Sequence, residues 1–142
     1  MAKVIIVYWS GGGNTEKMAG AIAQGAKDKG AEVECKNVSA ASVDELAAYD
    51  VVALGSPAMG AEVIEEGEME PFFTSALPKL SGKKVGVFGS YDWGDGEWLR
   101  TWGDRVKAGG AELVDGGVKA HLEPDAEALA ECSAWGAKLA AL

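Results

Sequence analysis

The 142 residues suit one domain, residues 1–142, and a chain of this size buries roughly 68–70% of its unfolded surface, enough to need no disulfide or metal staple. With 22 acidic against 13 basic side chains, the formal charge of −9 at pH 7 sets the chain against nucleic acid and anionic membranes and favours basic partners. The longest apolar run, Val4–Trp9, is far short of the ~20 residues of a membrane span, and Met1-Ala2-Lys3 leads into it without a signal-peptide pattern, so a cytoplasmic, monomeric protein is expected.

Val4, Ile5, Ile6 and Val7 predict a buried strand over Lys3–Tyr8. Ser10–Gly13 reads as a glycine turn. Met18, Ala21, Ile22 and Ala26 then recur at helical spacing over Asn14–Lys29, with Gly30 as the stop. A second strand falls at Glu32–Val38, a short helix at Val43–Tyr49, and a third strand without alternation at Val51–Gly55. A long polar stretch leads to a helix over Phe72–Leu80, starting near Pro71. Lys84–Ser90 is a fourth strand, and Gly96–Ala108 a helix on which Trp98 and Trp102 share a face. The fifth strand lies between Glu112 and Leu122, broken at Asp115-Gly116-Gly117, and Asp125–Leu142 forms the last helix after Pro124.

This alternation predicts an α/β fold: a single doubly wound, five-stranded parallel sheet in the order 2-1-3-4-5, covered on both faces. Ligands of such sheets bind beyond the carboxyl ends of the strands, at the switch point. The loops after strands one, three and four meet there.

The first loop is Ser10-Gly11-Gly12-Gly13-Asn14-Thr15. Its glycines let backbone N–H groups converge, and the following helix adds its positive end, which makes a phosphate cradle of neutral donors. The other reading is a plain glycine turn. The loop lacks the Gly-Lys-Ser/Thr ending of a nucleotide triphosphatase, and Glu16 stands where Gly-x-Gly-x-x-Gly needs its third glycine. The second loop is Ser56-Pro57-Ala58-Met59-Gly60-Ala61-Glu62, and the third Ser90-Tyr91-Asp92-Trp93-Gly94-Asp95-Gly96-Glu97-Trp98. Met59 and Trp93 are costly at loop tips unless something covers them. They either sandwich a planar ring or tuck under the sheet as core. Cys35 and Cys132 read as buried or idle thiols, and His121 as a packed or surface residue rather than a ligand; no metal set is present in the sequence.

Together the three loops resemble those of short-chain flavodoxins, a flavodoxin-like likeness that spans nearly the whole chain. Glu70-Pro71-Phe72-Phe73 and Ser81-Gly82-Lys83-Lys84-Val85 fall in the family's order, and the chain has no room for the roughly twenty-residue insertion of long-chain members. Two positions depart: Gly12 replaces a usual hydroxyl residue, and Asp92 a usual small one.

The resemblance implies FMN as cofactor, its phosphate in Ser10–Thr15, Trp93 on the outer face of the ring and Met59 on the inner. Pro57, Ala58, Ala61, Ser90, Tyr91, Asp92, Gly94 and Asp95 would complete the site. The peptide at Gly60 would turn its carbonyl towards the ring nitrogen N5, and Glu62 would accept from N3–H or remain a surface carboxylate. The implied function is a low-potential one-electron carrier, not an enzyme, passing between quinone, semiquinone and hydroquinone and serving redox enzymes with basic docking surfaces. The acidic run Glu62, Glu65, Glu66, Glu68 and Glu70, with Asp92, Asp95 and Glu97, would lower the second potential and steer such partners. The alternative is an FMN-dependent NAD(P)H/quinone reductase. A response-regulator domain shares the fold but needs acidic residues where this chain has Tyr8-Trp9-Ser10 and Gly55-Ser56.

Overall fold

The computed structural model describes residues 2–142. Its strands are β1 (Lys3–Tyr8), β2 (Glu32–Asn37), β3 (Val51–Gly55), β4 (Lys84–Tyr91), β5 (Glu112–Leu113) and β6 (Val118–His121). The α-helices are α1 (Asn14–Asp28), α2 (Met69–Ala76), α3 (Glu97–Ala108) and α4 (Ala126–Ala140). All pairings are parallel and the order is β2-β1-β3-β4-β5, with β6 also on β4.

The expected fifth strand is two pieces on one edge: Lys84 pairs with Glu112, and Phe88 with Val118. The break falls at Asp115-Gly116-Gly117. There the Asp115 carboxylate accepts from the Gly117 N–H at 2.8 Å, from Trp135 Nε1 at 3.1 Å and from Lys138 Nζ at 2.6 Å. A side chain thus replaces the ladder where the backbone leaves it.

The strand period divides the core in two. Ile5, Val7, Val52, Leu54, Val85 and Val87 meet Phe73, Trp98, Trp102 and Val106 of α2 and α3. Val4, Ile6, Ala53 and Phe88 meet Met18 and Ile22 of α1 and Trp135 and Leu139 of α4. Because both faces are covered, β1 and β3 read as unbroken apolar runs. Helices α1 and α4 approach closely: a Cβ added at Gly25 would overlap the Ser133 carbonyl, and one at Gly136 the Ile22 carbonyl.

Several boundaries differ from expectation. The segment over Val43–Tyr49 is a 3-10 helix, Asp44–Ala48, with Ser42 and Glu45 bonded to each other's backbone. Helix α2 begins three residues before Phe72, at Met69. The buried Glu65 carboxylate accepts from the N–H groups of Gly67, Glu68 and Met69 at 2.7–2.8 Å and so caps it. Pro71 sits in the first turn, where its missing N–H costs nothing; the helix ends at Ala76, and Leu77–Lys79 continue as 3-10. Strand β4 runs one residue further than expected, to Tyr91. Cys132 is buried, and Cys35, on the open strand β2, turns its Sγ to the Ala19 carbonyl at 3.8 Å. Burial pushes both thiols up to about 11, which keeps them out of thiolate chemistry.

Candidate functional site

The loops after β1, β3 and β4 are fastened to each other. Trp9 N–H donates to the Gly55 carbonyl at 3.0 Å, and Ala58 N–H to that of Ser90 at 2.9 Å. The hydroxyls of Thr15 and Ser90, buried and 75 residues apart, lie 3.1 Å from one another. One of the two donates, so the other keeps its proton for a further acceptor.

In the first loop, Ser10 Oγ accepts from Gly13 N–H at 3.1 Å and Glu16 N–H at 3.2 Å. Both bonds use oxygen lone pairs, so the hydroxyl proton stays available to a ligand. Gly13, at φ +96°, turns the chain into α1 without a side-chain cap. Among the described residues, the N–H groups of Gly11, Gly12, Asn14 and Thr15 meet no acceptor. Unpaired donors at a helix start form an anion site.

The second loop closes on itself through Met59 and Val63, whose backbones exchange bonds of 2.8 and 3.1 Å. The turn between them places Gly60 at φ +34° and Glu62 at φ +56°. The third loop turns at Gly94, φ +87°, and Gly96, φ +96°. Its Tyr91 ring rests between Trp98 and His121, and the His121 Nε2 lies 2.8 Å from the Asp92 carbonyl.

A cavity of about 290 Å³ opens where the loops meet. It brings together Ser10, Gly11, Gly12, Asn14, Thr15, Pro57, Ala58, Met59, Ser90, Tyr91 and Asp92. Gly13, Gly60, Ala61, Glu62, Trp93, Gly94 and Asp95 do not line it. Trp93, the residue after Asp92, is 59% exposed, and Met59 is 36% exposed. Neither is tucked under the sheet as core. Trp9 also lines the cavity and donates through Nε1 to Glu68 at 3.3 Å. Sequence reasoning missed it because it closes an apolar run; its place directly after the last strand residue was the available signal.

The Glu62 carboxylate is folded away from this cavity. It lines a smaller one, with Glu70, Trp98, Thr101, Trp102 and Arg105, and a Cβ at Gly94 would overlap it. Its Oε1 is buried without a hydrogen-bond partner, as is Trp102 Nε1. Burial raises the Glu62 carboxyl above the usual carboxylate range, and the nearby Glu97 and Asp95 raise it further. The acidic run is also less free than its sequence suggests. Glu65 caps α2, and Glu70 binds Arg105 through both oxygens at 2.8 and 2.6 Å. That ion pair holds the Glu70 carboxyl below its ordinary range. Glu66 and Glu68 remain exposed.

These residues suit a phosphorylated, planar group. The lining combines unpaired N–H groups and free hydroxyl protons with soft and aromatic side chains, and Asp92 is the one acid on it. Among the described residues no cluster of His, Cys, Asp or Glu could hold a metal, and no helix is long and apolar enough to cross a membrane.

The family model described as Flavodoxin matches residues 6–136. The flavodoxin of Clostridium beijerinckii is 49% identical over 135 residues, covering 95% of this chain and 97% of its own. That of Megasphaera elsdenii is 47% identical over 133 residues, 94% and 95% of the two chains. The solution structure of two-electron reduced Megasphaera elsdenii flavodoxin superposes with a TM-score of 0.90 at 47% identity, over 98% of this chain and 99% of that one. Likeness to NAD(P)H dehydrogenases (quinone) is partial, reaching 63% of this chain. The chain therefore belongs to the flavodoxin family, FMN-binding proteins that transfer electrons and are not enzymes.

Proposed function

We propose that this flavodoxin holds one FMN across its three loops and serves as a low-potential, one-electron carrier between redox enzymes with basic docking surfaces. The observation that carries this reading is the set of acceptor-free N–H groups at Gly11, Gly12, Asn14 and Thr15, opening onto the cavity that Met59, Tyr91 and Asp92 also line. When bound, FMN supplies the one-electron chemistry.

The Ser10–Thr15 loop holds the phosphate through backbone N–H groups, the Ser10 hydroxyl and the start of α1. Met59 and Trp93 cover the two faces of the ring, which explains two large side chains left exposed at loop tips. Pro57, Ala58, Ala61, Gly94 and Asp95 shape the backbone around it, and Gly13 sets the turn into α1. The Met59–Gly60 peptide would offer the ring either its carbonyl or its N–H, because glycine tolerates the dihedrals of either orientation. Glu62 accepts from N3–H after swinging out of its present place. Oε1 gives up no hydrogen bond in that movement, since it has no partner where it lies. Asp92, on the lining, opposes added negative charge and lowers the second potential.

We take residues 1–142 as one flavodoxin-like domain, monomeric and cytoplasmic. A reductase on the same fold needs open space over the ring for nicotinamide or quinone, and Trp93 takes that space in this reading. The decisive experiment is the visible spectrum of the purified protein, with chromatography of the released cofactor and an NADPH oxidation assay. About one FMN per chain, as a single site requires, without NADPH turnover, is expected. A colourless protein that takes up no added FMN sinks the reading; steady turnover favours the reductase.

A further inference from the structure

Trp9 directly follows β1, and its backbone N–H is tied to β3 through the Gly55 carbonyl. The residue is half-buried, packs against the core cluster on the α2 and α3 side, and lines the cofactor cavity. Its indole Nε1 donates to the Glu68 carboxylate at 3.3 Å, linking two loops that are 59 residues apart in sequence.

Glu68 is itself placed by other bonds. Its N–H, with those of Gly67 and Met69, is held by the buried Glu65 carboxylate. The Glu65 N–H in turn donates to Ser56 Oγ at 2.9 Å, directly after β3. The backbone at Glu68 is thus anchored to the end of the sheet, while its side chain is exposed and reaches out to the indole.

The far edge of that indole lies on the first loop. A Cβ added at Gly11 would meet the six-membered ring of Trp9 at 2.9 and 3.2 Å. Gly11 is outside the left-handed region, so the turn alone does not call for glycine there; the ring does. Gly13 is the reverse case, with open space and φ +96°. Gly11 also carries one of the acceptor-free N–H groups. The loop therefore rests on an aromatic floor at one of the residues that would grip an anion.

A carboxylate close to a site built for an anion is electrostatically unfavourable. Its place is explained by what it does to the ring. A covered indole N–H needs an acceptor, and Glu68 supplies one in the direction that keeps the ring against Gly11. Without it the indole is free to turn about its side-chain torsions, and the loop loses its support.

We propose that Trp9 and Glu68 are positioning residues for the cofactor phosphate: Glu68 orients the indole, and the indole holds the first loop with its N–H groups facing the anion. This rests on the FMN reading above. Donors ordered before the ligand arrives bind it more tightly, so the pair makes the site selective for a phosphorylated ligand and leaves the ring end unaffected.

The test titrates the apoprotein with FMN and, separately, with riboflavin, which has the ring but no phosphate. Glu68→Ala removes the acceptor, Glu68→Gln keeps one without the charge, and Trp9→Phe keeps an aromatic ring without the N–H. Glu68→Ala and Trp9→Phe should each raise the Kd for FMN by about fivefold and leave that for riboflavin unchanged. The two combined should do no more than either alone, and Glu68→Gln should restore tight binding. The phosphorus NMR signal of bound FMN should move in Glu68→Ala and return in Glu68→Gln. Equal losses for FMN and riboflavin assign a general structural role and overturn the inference. Additive losses, or an unmoved phosphorus signal, overturn it as well. Tighter FMN binding in both Glu68 variants shows that the carboxylate acts only as a repelling charge, which also overturns it. Failure of the unaltered chain to take up FMN instead overturns the reading on which this one stands.

Discussion

At Gly12 the phosphate loop has room it does not use. Nothing lies within 4 Å of the place a Cβ would occupy, and the backbone there is not in the left-handed region. Gly12→Ser should therefore add a hydroxyl without strain and tighten FMN binding by about 1 kcal/mol, roughly fivefold in Kd. Fluorescence titration of the apoprotein with FMN measures it; an unchanged Kd means the phosphate does not sit over this residue. Gly60 is also in open space, but at φ +34°. Gly60→Ala is felt through the backbone alone and should weaken the half-reduced form by roughly 1 kcal/mol. A redox titration that finds its yield unaltered removes the Met59–Gly60 peptide from the mechanism. Glu62 gives a pH signature without the cofactor. Its carboxyl is raised by burial first, then by Glu97 and Asp95. A carboxyl raised in the fold supports folding below its unfolded range, and loses that support as pH rises through the folded value. Glu62→Gln should therefore raise the Tm of the apoprotein near neutral pH and have less effect in mild acid. An equal change in Tm at both pH values contradicts this. Turn chemistry made the Met59 and Trp93 loops legible from sequence. The inward fold of Glu62 was not, since it depends on a carboxylate meeting Gly94 from another loop.

Strands β1, β3 and β4 were readable because parallel strands buried on both faces need continuous apolar residues, and Asp115-Gly116-Gly117 announced the break after β5. Helix α2 was misplaced at its start for a specific reason. Its cap is a buried glutamate four residues ahead of Met69, not the Ser, Thr, Asp or Asn that usually stands directly before a helix. The 3-10 helix at Asp44–Ala48 carries the same local signals as a short α-helix, so sequence could not separate the two. The packing of α1 on α4 was also hidden, since contacts between distant helices leave no periodic mark on small residues. They meet through Gly25 and Gly136, each against the other helix's backbone. Gly136→Ala forces that contact apart and should destabilise the fold by about 1–3 kcal/mol. Urea unfolding measures this, and a loss well below that range means the helices slide apart freely.

Over the whole molecule, the charge of −9 has a narrower local basis than the run from Glu62 to Glu70 suggests. Glu65 and Glu70 are committed to a helix cap and an ion pair, and Asp95 to Arg100, leaving the exposed Glu66, Glu68, Asp92 and Glu97 to face a partner. Steering by these charges is screened over about 10 Å at 0.1 M salt. Electron transfer with a basic partner should thus slow by about tenfold or more as salt is raised from low to high ionic strength. Stopped-flow rates measure it, and a flat salt profile argues for contact through uncharged surface. The gap between β5 and β6 carries a different consequence. Each piece keeps its own ladder to β4, and Asp115 ties the gap to α4. Gly116 stands exposed between them, with nothing near its missing side chain. A peptide spliced in at Gly116 would lengthen no strand, which makes this seam the place to tether the carrier to an electrode and wire it into a circuit.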